Sequence, residues 1–311
     1  MTSDFETAEP TRILWHYTDA AGLNGILANV DQPAAPNVVG SGSFKPVFRA
    51  TAIEYLNDHQ ELIHGLQFFQ KHILAFAQKL DGIEYKPDEQ HEIVNTTAKA
   101  AFFRALSDCI DRIADGDYIT HIHCYTTSFS QCPDVLSQWR AYSGGTNGFA
   151  IGVDPAQFPS APGTFLRRAS FLAPVHYGHD AVPADLTVEL QQWLDHFVLP
   201  TDPPNPTEGF LDQCVRWLAA LAARIKHPGF SEEKEWRYID LKYSNEPMYR
   251  PGGTGLIPYT TLTLPREAIV ALYVGPGPTQ RENYLAAKGA LSRYRYDIAA
   301  SNVTKSTTPF R

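Results

Sequence analysis

The sequence predicts an α+β fold, and three observations point to it. Short runs rich in β-branched and aromatic residues occur along most of the chain, as in "RILWHYT" and "YTTSFS". Long stretches with helical spacing of apolar residues stand among them. The two kinds of segment follow no regular βαβα rhythm and no internal repeat is visible, which argues against a parallel α/β sheet.

The elements follow in chain order. Residues 1–11 read as a loose tail, and residues 12–311 as a single domain. Residues 12–18 form a strand. Asp19 is placed to cap a helix over 20–30, where Leu23, Ile26, Leu27 and Val30 recur on one side. A Pro/Gly/Ser-rich loop leads to a strand at 46–52. A long amphipathic helix spans 53–80, interrupted near Asn57-Asp58, and a second spans 90–114. The alternating run 118–130 reads as one long strand. A short helix in "VLSQWRAYSGG" closes at Gly144-Gly145, followed by a strand at 148–154. Residues 155–210 are rich in proline and read as an insertion of loops around a helix at 184–198, with a strand at 171–177. A helix over 211–227 places Lys226 and His227 at its C-terminal end, where positive charge is favoured. Residues 232–241 alternate as a strand. Two further strands, "YTTLTLP" and "IVALYVGPG", precede a helix at 279–292.

Composition narrows the function classes. Of 311 residues, 43% are hydrophobic and 19% charged, with a formal net charge of −8. No dense Lys/Arg block marks a broad nucleic-acid surface. No apolar run reaches the roughly 20 residues of a membrane helix, and the acidic N-terminus is unlike a secretion signal. A cytoplasmic protein is the expectation. Four cysteines without CxxC spacing fit neither a zinc site nor a disulfide scaffold, so no metal is expected. A nuclease is disfavoured, because no carboxylate cluster has metal spacing.

Five constellations could carry chemistry. On a strand, His16 and Thr18 share one face and Tyr17 takes the other. They are either satisfied core groups or ligand-binding ones. In "LNDHQE", Asn57, Asp58 and Glu61 have the spacing of a helix cap, and alternatively Asn57 or Glu61 faces a site. Thr126, Ser128 and Ser130 form a hydroxyl ladder, structural or pocket-lining. Trp139 and Tyr142, three apart on a helix, belong to the core or stack on a planar cationic ring. In "SEEKEWRY", Glu233, Glu235 and Arg237 point one way on a strand. They make an ion pair, or they supply a carboxylate for the positive charge that develops when an N-glycosidic bond breaks.

The stretches "LWHYTDAAGLNGIL", "YLNDHQE", "YTTSFSQCPDVLSQWRAYSGGTNGFAIGVD", "VHY" and "EEKEWRY" resemble, in order, the blocks of the bacterial "domain of unknown function 2971" family over about residues 12–280. A more distant resemblance links "HYT" with the following "GLNGIL" to the opening of ADP-ribosyltransferase folds. That resemblance implies a split sheet core with flanking helices, with NAD as substrate. Residue by residue it implies His16 on the adenosine ribose, with Tyr17 and Thr18 beside it. It implies Ser128 or Ser130 bracing the nicotinamide side and Tyr142 or Trp139 stacking on nicotinamide. Glu235 would be the catalytic carboxylate, and Glu233-Lys234-Glu235 is similar to the E-x-E form of the third motif. Asn57 and Arg237 complete the expected binding set. The implied reaction passes ADP-ribose to a macromolecule or to water, and the implied context is a toxin or an anti-phage defence effector. The rival expectation is a non-catalytic module that senses a nucleotide or binds a protein partner.

Overall fold

The computed structural model describes residues 13–29, 44–56, 59–83, 90–117, 121–144, 148–159, 170–178, 184–198, 206–241, 246–253 and 255–309. The expected N-terminal tail and Asn57 lie outside the described residues.

The chain is mixed α and β. Strand β1 (Leu14–Thr18) leads directly into helix α1 (Ala20–Leu27). The Asp19 carboxylate caps that helix by accepting from the Gly22 N–H at 2.7 Å. Then come β2 (Val47–Ala52), a 3₁₀ turn at Ile53–Tyr55, α2 (His59–Asp81) and α3 (Gln90–Ala114). β3 (Tyr125–Ser130), α4 (Leu136–Tyr142), β4 (Phe149–Val153), β5 (Ser170–Pro174) and β6 (His176–Tyr177) follow. The last part holds α5 (Ala184–Asp195), α6 (Pro206–Ala222), β7 (Ile225–Lys226) and β8 (Glu235–Asp240). It ends with β9 (Met248–Gly252), β10 (Gly255–Thr263), β11 (Ile269–Val274), α7 (Gln280–Arg293) and β12 (Val303–Lys305).

Among the described residues ten strands make one sheet in the order β12-β11-β4-β1-β3-β2-β10-β9, with β8 and β5 joined through β3. The pairing around β3 is forked. Along one edge β3 pairs with β8 over its full length, from Tyr125↔Asp240 to Ser130↔Glu235. Along the other edge β1 meets β3 only at Trp15↔Ser130, and β2 only at Thr51↔Thr126 and Ala52↔Tyr125. Ser128 lies at the parting of the two. The His16 ring spans the gap, its Nδ1 3.0 Å from the Ser128 carbonyl oxygen.

Among the described residues a smaller apolar cluster holds Trp15, Tyr17 and Trp139, and the two largest clusters flank the sheet. One joins α2, α3, α5 and α6 through Leu66, Phe69, Phe103, Leu190 and Leu218 to Ile239 of β8. The other gathers Phe48, Phe129, Trp236, Tyr238 and Ile151 under α1 and α7. Pairing of opposed residues explains the split, since cross-strand partners project to the same face.

Several sequence expectations are corrected. The run 118–130 is not one strand, since His123 takes a left-handed backbone (φ 53°) and β3 begins two residues later. Residues 232–241 are not one strand either. Glu233 closes a 3₁₀ turn and Lys234 is left-handed (φ 43°), so β8 starts at Glu235. The helix expected at 211–227 runs from Pro206 to Ala222. Lys226 therefore lies in β7 rather than at a helix end, and β7 pairs in parallel with β6. The strand expected at 171–177 divides into β5 and β6. β5 is paired along β8, so this part of the proline-rich segment belongs to the sheet.

Candidate functional site

The site is built on the face of β8 that carries Glu235 and Arg237. In the β3–β8 register Ser128 opposes Arg237 and Ser130 opposes Glu235, so all four project to one face. The Trp15↔Ser130 pair puts Trp15 and Tyr17 on that face too.

Glu235 forms the floor. Its side chain is 5% exposed. Oε1 accepts from Arg237 Nε at 2.7 Å and Oε2 from Arg237 Nη2 at 3.1 Å, a bidentate pair. Lys226 Nζ donates to Oε2 at 3.0 Å, and the Ser128 side chain helps to hold the same carboxyl down. Burial pushes this carboxyl up, but Arg237, Lys226 and these hydrogen bonds outweigh it and hold the group down to about 2. The backbone N–H of Glu235 donates to the Tyr177 hydroxyl at 2.7 Å. The Tyr177 phenol is itself pushed up to about 12, mainly by burial.

Two more carboxylates share the two cations. Glu233 Oε2 accepts from Lys226 at 2.7 Å. Glu61, from the first turn of α2, accepts from Arg237 Nη2 at 3.3 Å, and its other oxygen lies 3.9 Å from Lys226 Nζ. Arg237 also donates from Nη1 to the Ala223 carbonyl at 2.7 Å. Burial raises the Glu61 carboxyl above its ordinary value, although Arg237 and Lys226 pull the other way. Side chains of Glu61 and Glu233 are 11% and 15% exposed, so both are more accessible than Glu235. The rim carries two aromatic rings. Tyr142, at the end of α4, is 37% exposed, and its phenol is raised by burial and then by Glu235 and Glu233. Phe230 is 40% exposed, with Lys226 Nζ 4.8 Å from its ring centroid.

The remaining expected residues divide clearly. Ser130 is structural: its hydroxyl donates to the Glu233 carbonyl at 2.6 Å and accepts from the Cys132 N–H, fixing the turn that presents Glu233. Tyr17 lies beneath α4, donating to the Cys132 carbonyl and accepting from the Val135 N–H. Trp139 packs edge-on against Tyr17 at 4.7 Å and donates to Asp134, so it belongs to the core. His16 and Thr18 lie on the opposite face. The His16 ring touches Phe48 and Phe129, and burial lowers its pKa, which keeps it neutral near pH 7. Thr18 packs against the start of α1, where a side chain at Gly22 would collide with its hydroxyl. The expectation that His16 and Glu235 line one pocket is therefore corrected. A His on a strand end carries no mark of face until its register is known.

Lys226 and Tyr177 were missed as site residues. Lys226 read as a helix-end charge because the apolar helical pattern of α6 runs on into Ile225. The usable signal was a charge imbalance, since "SEEKEWR" needs a second cation near its glutamates. Glu61 takes the alternative reading of "LNDHQE", with its carboxylate on Arg237 and Lys226. Among the described residues no group of three or more metal-ligating side chains occurs, and no helix is long and apolar enough to cross a membrane.

Residues 138–238 match the family model described as "Protein of unknown function (DUF2971)". The match is narrower than the resemblance read over 12–280. It contains Tyr142, Tyr177, Lys226, Glu233, Glu235 and Arg237, and leaves out Glu61 and Ser128. No curated protein and no solved structure matches the chain.

Proposed function

We propose that this chain is an ADP-ribosyltransferase-like enzyme that binds NAD, cleaves the nicotinamide–ribose bond and passes ADP-ribose to a macromolecule or to water. The observation that carries this reading is the Glu235 carboxylate, held ionised within a cluster drawn from distant segments of the chain. Buried ion clusters contribute little to stability, because desolvation offsets their attraction. Strongly perturbed titratable groups gathered at one place are a mark of functional sites. Three carboxylates against two cations leave the cluster net negative, which suits a cationic ring and an oxocarbenium-like transition state. The forked sheet, with Ser128 at the fork and Glu233-Lys234-Glu235 beside it, supports the same reading.

Roles follow from access. Glu233 is the reachable carboxylate, with Oε2 on Lys226 and Oε1 without a protein donor among the described residues. Glu235 supplies a fixed negative charge from below, oriented by Arg237 and Ser128. Tyr142 offers its ring to nicotinamide. His16 braces the fork.

One observation favours the second reading, a non-catalytic module that binds a nucleotide or a protein partner. Both Glu235 oxygens are already engaged by Arg237 and Lys226. Nicotinamide release separates the two. Purified protein incubated with NAD, with and without cell lysate, is expected to release nicotinamide. Glu233→Gln and Glu235→Gln are each expected to lower that release by about 10²-fold or more, the scale of losing one preorganised charge. No release by well-folded native protein in either condition would leave the binding module as the reading.

A further inference from the structure

We propose that Glu61 is the general base of this site, taking the proton from the water or acceptor hydroxyl that attacks the ribose. This inference rests on the reading above and assigns a residue from outside the expected three-motif set.

The argument is a competition among three carboxylates for two cations. Glu235 holds the shortest contacts to Arg237, at 2.7 and 3.1 Å, and one to Lys226 at 3.0 Å. Glu233 holds Lys226 at 2.7 Å. Glu61 is left with 3.3 Å to Arg237 and 3.9 Å to Lys226. Coulomb attraction falls with distance and charge-assisted hydrogen bonds weaken as they lengthen, so Glu61 is the least stabilised anion of the three. When three negative charges share a site with two positive ones, the worst-served carboxylate is the one that takes up a proton most readily. The raised Glu61 carboxyl agrees with that geometry, while Glu235 is held too acidic to accept a proton near neutral pH. The charged groups that act on Glu61 are Arg237 and Glu235 of β8 and Lys226 of β7, which it shares with Glu233 of the 3₁₀ turn; Tyr142 and Tyr177 act on Glu235 and Glu233. His64, one turn further along α2, is exposed. Both tyrosines are raised and stay neutral.

The step balances. The nucleophile's oxygen bonds to the anomeric carbon and its proton passes to a Glu61 oxygen. The bond from that carbon to the nicotinamide nitrogen breaks, and its electron pair leaves with neutral nicotinamide. The ring's positive charge and the Glu61 negative charge vanish together, and Glu61 then returns its proton to solvent.

The experiment pairs two readouts on the full chain. The first is carboxyl NMR of ¹³C-glutamate-labelled protein across pH. One resonance is expected to titrate above the ordinary glutamate range and to disappear in Glu61→Gln. The second is the pH profile of nicotinamide release from NAD in water. The native rate is expected to rise through the same midpoint. Glu61→Gln is expected to lose roughly 10²-fold or more in kcat and to lose that acid limb. Release by Glu61→Gln with the native profile would overturn the role of Glu61 while leaving NAD cleavage intact. A Glu61 resonance in the ordinary range would overturn it too. No release by native protein would overturn the NAD reading and this base with it, whatever the resonance shows.

Discussion

Arg237 is the side chain on which the charge balance turns. It donates to Glu235 through two nitrogens, to Glu61 through one of them, and to the Ala223 carbonyl. Arg237→Met would leave Glu235 buried with Lys226 and Ser128 alone. Removing one partner of a buried pair costs about 3–5 kcal/mol. The pH dependence follows from the sign of the Glu235 shift. Its carboxyl is depressed in the folded chain to about 2, from an ordinary value of 4.5. Its ionised form therefore stabilises the fold above pH 4.5, and that contribution is lost as pH falls towards 2. Glu61 runs the other way. Its raised carboxyl favours the fold at low pH, and this contribution is lost as pH rises through its folded value. Urea midpoints of native and Arg237→Met chains should thus lie far apart at pH 7, draw closer at pH 3 and converge only as pH approaches 2. An equal gap at both pH values would mean that Arg237 acts through packing alone. Arg237→Lys, which keeps the charge but loses the fork, should fall between them.

At the scale of elements, the position of Glu61 depends on how closely α2 approaches α6. Gly65, one turn beyond Glu61, faces Ala222, and a methyl group there would lie 2.8–2.9 Å from the Ala222 Cβ and Cα. Backbone cannot yield as a flexible side chain can, so Gly65→Ala should push the helices apart and cost about 1–3 kcal/mol. Ala223, the next residue, carries the carbonyl that holds Arg237. The variant should therefore also lower nicotinamide release, whereas the open position Gly25→Ala should leave release unchanged. A Gly65→Ala chain with native stability and native release would show that the helix spacing is not critical. Most elements were legible in the sequence because their periodicity is strong, as in α2, α3 and α7. The failures share a cause. His123 and Lys234 adopt left-handed backbones that alternation cannot reveal, and each cuts an apparent strand short. Lys226 follows an unbroken apolar pattern, and only its pairing beside Tyr177 shows it to be a strand residue. The residue types of the site were legible in "SEEKEWRY" and "LNDHQE". Their faces were not, because a face depends on a register set by partners more than a hundred residues away.

At the scale of the whole molecule, the chain's last described segment bears on the site from a distance. β12 adds to the sheet beside β11, and the next three residues close on Asp134. The Asp134 carboxylate accepts from the Ser306 hydroxyl at 2.5 Å, from the Thr307 N–H at 3.0 Å and from the Thr308 hydroxyl at 3.3 Å. It also accepts from Trp139 Nε1 at 2.7 Å. Asp134 precedes α4, and Trp139 packs on Tyr17 within it, so this clasp fixes the helix that presents Tyr142. The Asp134 carboxyl is held below its ordinary value by those donors against the opposing effect of burial. A chain ending at Lys305 keeps β12 but loses the clasp. Hydrogen bonds to a charged group are worth about 1.5–3 kcal/mol each, but water replaces part of that at a half-exposed carboxylate. The truncated chain should therefore still fold, with a melting temperature lower by a few degrees. Glu235, Arg237 and Lys226 make no contact with the clasp, so the chemistry itself should persist. The expected signature is a KM for NAD raised several-fold with kcat changed much less, because the proposed role of Tyr142 is to bind the nicotinamide ring and not to carry a proton. Asp134→Asn should reproduce that KM change in the full-length chain. A fall in kcat at constant KM would show instead that α4 shapes the charge cluster rather than the ring contact.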